Sequence, residues 1–146
     1  MTHKELVVRA GKVLRSWKLS PVYCEKASCA LSEFPDAIGW NSRGESHLVE
    51  VKTSISDLKA DAKKPHRLNP ETGMGDYRWY LVPELMPSDK IDLPTGWGLL
   101  VHHETSDRVR RALKAEKMQK NAYAELSLLR ARINEIAREA QEGGAE

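Results

Sequence analysis

Phe34-Pro35-Asp36-Ala37-Ile38-Gly39-Trp40 and His47-Leu48-Val49-Glu50-Val51-Lys52 are two short apolar runs joined by Asn41-Ser42-Arg43-Gly44-Glu45-Ser46. Both runs read as strands. The polar connection carries turn chemistry, with Gly44 able to take positive φ, so the stretch predicts a β-hairpin. Side chains alternate across a strand, which puts Glu50 and Lys52 on one face and Val51 on the other. Folding the hairpin back on itself brings Asp36 towards Glu50.

Two carboxylates so placed suit an oxygen-preferring cation such as Mg²⁺, which keeps several waters for a substrate. A lysine beside them can orient or deprotonate an attacking water, or stabilise charge on a phosphate. The pattern therefore points to metal-dependent phosphodiester cleavage. The triplet Asp61-Ala62-Lys63 repeats the acid-x-Lys spacing. It lies in a polar, helix-like stretch, however, where residues two apart do not share a face.

From about Lys4 to Val101 the chain resembles the PD-(D/E)xK nuclease superfamily, on the strength of Pro35-Asp36 and Glu50-Val51-Lys52. That superfamily includes restriction-enzyme-like nucleases, Holliday-junction resolvases and small phage nucleases. The resemblance implies Asp36, Glu50 and Lys52 as catalytic residues, with Glu5 on the first helix as a secondary acid. Asp36 and Glu50 would bind Mg²⁺ or Mn²⁺, the Val51 carbonyl being a further candidate ligand. Glu25 is another acidic candidate. The implied activity is that of a DNA nuclease, endo- or exonucleolytic. The chain has no obvious specificity domain, which favours structure-dependent cutting in repair, recombination or phage replication.

The flanking sequence predicts an α/β fold with a single mixed sheet flanked by helices, a restriction-endonuclease-like core. Leu6, Val7, Ala10, Val13, Leu14 and Trp17 recur at helical spacing from Thr2 or His3 to about Lys18, where Ser20-Pro21 stops the helix. Val22 to Glu25 reads as a strand. Ser54 can cap a helix to about Lys64, with Asp57 at the acidic position of a capping box. His66 to Asp76 reads as a long loop. Tyr77–Val82 and Trp97–His102 read as two more strands. His102 and His103 point to opposite faces, which argues against a joint metal site.

From Ser106 the composition turns helical, with neither Pro nor Gly until Gly143. Residues 1–104 are thus expected to form the core and 105–146 a long C-terminal helical extension. Ala122, Leu126, Leu129, Ile133, Ile136 and Ala140 follow a 4-3-4-3-4 spacing. This stripe suits packing on the core, or a short coiled coil with a second copy or a partner protein.

At 146 residues the chain is long enough for one domain with a real core. Net charge is only +2, from 23 Lys and Arg against 21 Asp and Glu. Local excess matters more for binding phosphates. Lys59, Lys63, Lys64 and Arg67 form one basic group; Arg108, Arg110, Arg111, Lys114, Lys117 and Lys120 form a second, expected on a helix. With His66 and Arg78, these supply the candidate nucleic-acid contacts: Lys63, Lys64, His66, Arg67, Arg78, Arg108, Arg111 and Lys114. Cys24 and Cys29 have no neighbouring Cys or His spacing that completes a zinc site. No apolar run reaches membrane-spanning length, so a cytoplasmic protein is expected. The rival reading from another class is a non-catalytic nucleic-acid-binding protein that keeps the nuclease fold and recruits a partner through its C-terminal helix.

Overall fold

The computed structural model describes residues 1–24 and 34–144. In chain order it comprises α1 (His3–Ser16), β1 (Val22–Cys24), β2 (Ala37–Trp40), β3 (Ser46–Val51), α2 (Ile55–Ala62), α3 (Pro65–Leu68), β4 (Tyr77–Pro83), β5 (Gly98–His103), β6 (Arg108–Leu113) and α4 (Ala122–Gly144). The six strands form one mixed sheet in sequential order. The pairs β1–β2, β2–β3 and β5–β6 are antiparallel, while β3–β4 and β4–β5 are parallel. Parallel neighbours need a crossover, and α2 with α3 supplies the one between β3 and β4. This is an α/β fold with a C-terminal helix. Glu25 and Cys29 lie outside the described residues.

The predicted hairpin forms, with Gly44 at φ +79° in its turn. Alternation along β3 divides its side chains between two cores. Val49 and Val51 join Leu6, Ala10 and Leu14 of α1, together with Trp79, Leu81 and Leu100. Each fully buried Leu there contributes about 1.5–3 kcal/mol. Leu48 faces the other way, with Ile38, Tyr80, Trp97, and Ala124 and Leu128 of α4. Glu50 shares that second face by parity. Helix α1 starts at a complete capping box: Thr2 Oγ1 accepts from Glu5 N at 3.1 Å, and Glu5 Oε2 accepts from Thr2 N at 2.7 Å.

Helix α4 is anchored by a buried carboxylate. Glu125 accepts hydrogen bonds from Trp40 Nε1 (2.9 Å), Ser46 Oγ (2.6 Å), Gly75 N (2.8 Å) and Lys120 Nζ (2.9 Å). Ala124 and Leu128 face the core with Leu129 packed partly against it, whereas Leu126, Ile133 and Ile136 remain exposed. The 4-3-4-3-4 stripe is therefore largely not the face that packs on the sheet.

Two expectations need correction. Residues 108–113 are the edge strand β6, not the start of a helix, and the helical extension begins at Ala122 rather than at 105. Pairing with β5 overrides the helix-favouring composition. The turn into β6 needs no glycine, because Asp107 itself takes φ +56°. The expected loop 66–76 contains α3 and a 3₁₀ turn at Pro70–Thr72, and it buries His66 and Arg67.

His47 on β3 stacks on Tyr77 (ring centroids 4.6 Å apart), and its Nδ1 accepts from Trp79 Nε1 at 3.2 Å. Burial, reinforced by Arg111, pulls its imidazole down to about 4. The unfolded chain then binds a proton near pH 6.5 that the folded chain refuses until about pH 4. Stability should therefore fall as the pH is lowered through that window. In His47→Gln, which keeps an acceptor for Trp79, urea midpoints should fall less over the same range; superimposable pH curves would contradict this account.

Candidate active site

The register Ala37↔Val49, continued by one step, sets Asp36 beside Glu50 at the carboxyl end of β3. In open α/β sheets that end of the parallel strands is where ligands bind. Asp36 is buried, and its Oδ2 accepts from Val51 N at 2.7 Å. Glu50 is 5% exposed, and its Oε1 lies 3.3 Å from Arg67 Nη2. Burial first, and the charge of Asp36 second, push the Glu50 carboxyl well above its ordinary range, against the pull of Arg67.

Lys52 leaves the strand with its backbone N–H donating to Leu81 O at 3.0 Å. Its Nζ lies 3.5 Å from Asp61 Oδ1 on α2. Asp61 is 1% exposed. It also faces Lys64 Nζ at 3.1 Å and accepts from Arg67 Nε at 2.9 Å and from the Tyr80 hydroxyl. Burial alone would raise the Asp61 carboxyl, but Arg67, the Tyr80 hydrogen bond and Lys52 together outweigh it and hold the group below the usual carboxylate range. Glu50 and Asp61 thus face three cations (Lys52, Lys64, Arg67), with Asp36 beside Glu50. The Arg67 guanidinium lies 4.6 Å over the Trp97 ring. A cavity of about 260 Å³ opens beside the cluster, lined by His3, Val51, Lys52, Thr53, Asp61 and Lys64 among others.

The hairpin spacing brings Asp36, Glu50 and Lys52 to one end of β3, as read from the sequence. Glu5 serves the capping box of α1, and the hydrogen bonds with Thr2 hold its exposed carboxyl low. The α1 side chain that faces Asp36 is His3, with Nε2 3.4 Å from Asp36 Oδ2. Three of the expected nucleic-acid contacts are not surface groups. Arg67 pairs with Glu50 and Asp61 inside the cluster, and the wholly buried Arg78 donates to the carbonyls of Pro70 (2.6 Å), Gly75 (2.9 Å) and Gln119 (2.9 Å). His66 is buried too, and burial lowers its imidazole to about 4. Lys63, Lys64, Arg108 and Lys114 are exposed. Arg111 is exposed but lies 4.1 Å over the Trp17 ring.

Asp61, Tyr80 and His3 were not among the expected site residues. Asp61 carried one legible signal: it falls three residues after Leu58, on the face of α2 that is buried. Among the described residues no three His, Cys, Asp or Glu side chains converge as a metal-binding group. A cation here would rest on two carboxylates and water, a pattern Mg²⁺ accepts. The donor set fits such an ion, because Asp36 and Glu50 are hard oxygen donors buried side by side, and their repulsion favours a shared cation.

No protein-family model matches this chain, and no curated protein matches it. Among solved structures it is similar to one described as the SPO1766 protein of unknown function from Silicibacter pomeroyi. That likeness has a TM-score of 0.69 at 20% identity and covers 97% of this chain and 90% of the other. It shows a shared fold. Among the described residues no helix is long and apolar enough to cross a membrane.

Proposed function

We propose that this chain is a metal-dependent DNA nuclease with a restriction-endonuclease-like core of the PD-(D/E)xK type. The observation that carries the reading is the gathering of Asp36, Glu50 and Lys52 at the carboxyl end of β3, where Lys52 lines the adjoining cavity. Asp36 and Glu50, with the Val51 carbonyl, would hold Mg²⁺ or Mn²⁺. Such an ion supplies Lewis-acid polarisation of a phosphate oxygen and a water of lowered pKa. The Val51 N–H fixes the Asp36 carboxylate, so that its orientation is set before substrate arrives. Lys52 orients the attacking water and counters charge developing on the phosphate. Exposed Lys63, Lys64, Arg108 and Lys114 contact the DNA backbone. The substrate is a DNA structure rather than a sequence, in repair, recombination or phage replication.

Asp36→Asn should lose Mn²⁺ binding and cleavage together while remaining folded, read by calorimetric titration with Mn²⁺ and by a cleavage assay. Wild-type affinity and rate in that variant would refute the assignment. One observation favours the rival, a non-catalytic DNA-binding protein with this fold: Arg67 already neutralises Glu50. Metal-dependent DNA affinity without turnover would decide for that rival.

A further inference from the structure

Lys52 carries four rotatable bonds, and an ammonium at a cavity edge has no reason of its own to hold one position. In this chain a rigid counter-ion holds it. We infer that Asp61 is a positioning residue for Lys52, locked in turn by Tyr80 and Arg67. This rests on the nuclease reading, and it adds a residue that the acid-x-Lys pattern does not contain.

The two oxygens of Asp61 divide the work. Oδ2 takes the Tyr80 hydroxyl and Arg67 Nε, both from buried side chains. Oδ1 is left for Lys52 at 3.5 Å and Lys64 at 3.1 Å. The Oδ2 partners are themselves fixed on one platform: Tyr80 stacks on Trp97 with ring centroids 4.4 Å apart, and Arg67 lies over the same ring at 4.6 Å. A line of contacts therefore runs from the Trp97 ring through Tyr80 and Arg67 to Asp61, and from Asp61 to the Lys52 ammonium. Lys52 and Lys64 share Oδ1 unequally. The Lys52 side chain is 14% exposed and stays within the site, whereas that of Lys64 is 50% exposed and sits at the surface.

An offset of about 1 Å in a catalytic group can cost about 10²-fold in rate. Asp61→Asn preserves shape but removes the charge that holds Lys52, so kcat should fall about 10²-fold with KM unchanged. A second readout needs no turnover. In wild type the Lys52 ammonium should give a discrete, slowly exchanging ¹⁵N NMR signal, assigned by its absence in Lys52→Ala, and Asp61→Asn should erase it. Tyr80→Phe keeps the stacking on Trp97 and the charge of Asp61; it should change both readouts in the same direction by less, and it serves if Asp61→Asn fails to fold. An unchanged Lys52 signal, or wild-type kcat in a folded Asp61→Asn, would overturn the positioning role while leaving the nuclease reading intact. A wild type that cuts no DNA, with the Lys52 signal still dependent on Asp61, would overturn the nuclease reading and with it the catalytic purpose of the contact.

Discussion

Lys52→Ala is expected to lower DNA cleavage by about 10²–10³-fold, the loss typical of removing one group that stabilises developing charge. The rest of the site should survive. Asp61, deprived of Lys52, still faces Lys64 and Arg67, so no buried charge is stranded and stability should barely change. Salt-sensitive DNA binding should persist, because it depends on exposed cations that the substitution leaves in place. Single-turnover cleavage in Mg²⁺, beside circular dichroism and binding in the presence of a chelator, separates the three effects. Cutting at the wild-type rate by the variant would show that Lys52 is not part of the machinery.

Arg67→Ala is expected to have the opposite profile, with a stability loss of about 3–5 kcal/mol, the range for removing one partner of a buried ion pair. Arg67 and Glu50 are 1% and 6% exposed at their side chains, so solvent screens the pair little. Asp61 retains two lysines. Glu50 keeps only the weaker pull of Lys52 against the repulsion of Asp36 and Asp61, on top of a burial that already disfavours its charge. The sign with pH follows. Glu50 has a folded-state value above its unfolded one, so its charge costs stability as the pH rises above its ordinary value of 4.5. The deficit in Arg67→Ala should therefore narrow on acidification towards that value. Equilibrium urea unfolding at neutral and acidic pH reads both the size and the sign. A loss below about 1 kcal/mol, the scale of an exposed pair, would mean that Arg67 is not the counter-charge described.

What the sequence disclosed and what it hid differ in range. Asp36, Glu50 and Lys52 were legible because one hairpin carries them, and period-two alternation with a short turn fixes their relation locally. The start of α1, read at Thr2 or His3, was legible for the same reason, although its capping box was not. Asp61 was hidden because its partners come from elsewhere: Lys52 from β3, Arg67 from α3 and Tyr80 from β4. In isolation the residue belongs to a polar helix. Arg78 misled in the reverse sense, since a strand arginine suggests a phosphate contact until the carbonyls of Pro70, Gly75 and Gln119 turn towards it. Strand β6 was missed because Arg, Ala and Leu are good helix formers, and only the open edge of β5 makes a strand the better arrangement.

The nuclease assignment is tested most directly by incubating the pure wild-type protein with linear, single-stranded, flapped and four-way-junction DNA, in Mg²⁺ or Mn²⁺ and again with excess chelator. The account predicts cutting of at least one of these substrates with metal and none with chelator. Every substrate left intact, with DNA still bound, would contradict it and leave a non-catalytic DNA-binding protein built on the same sheet.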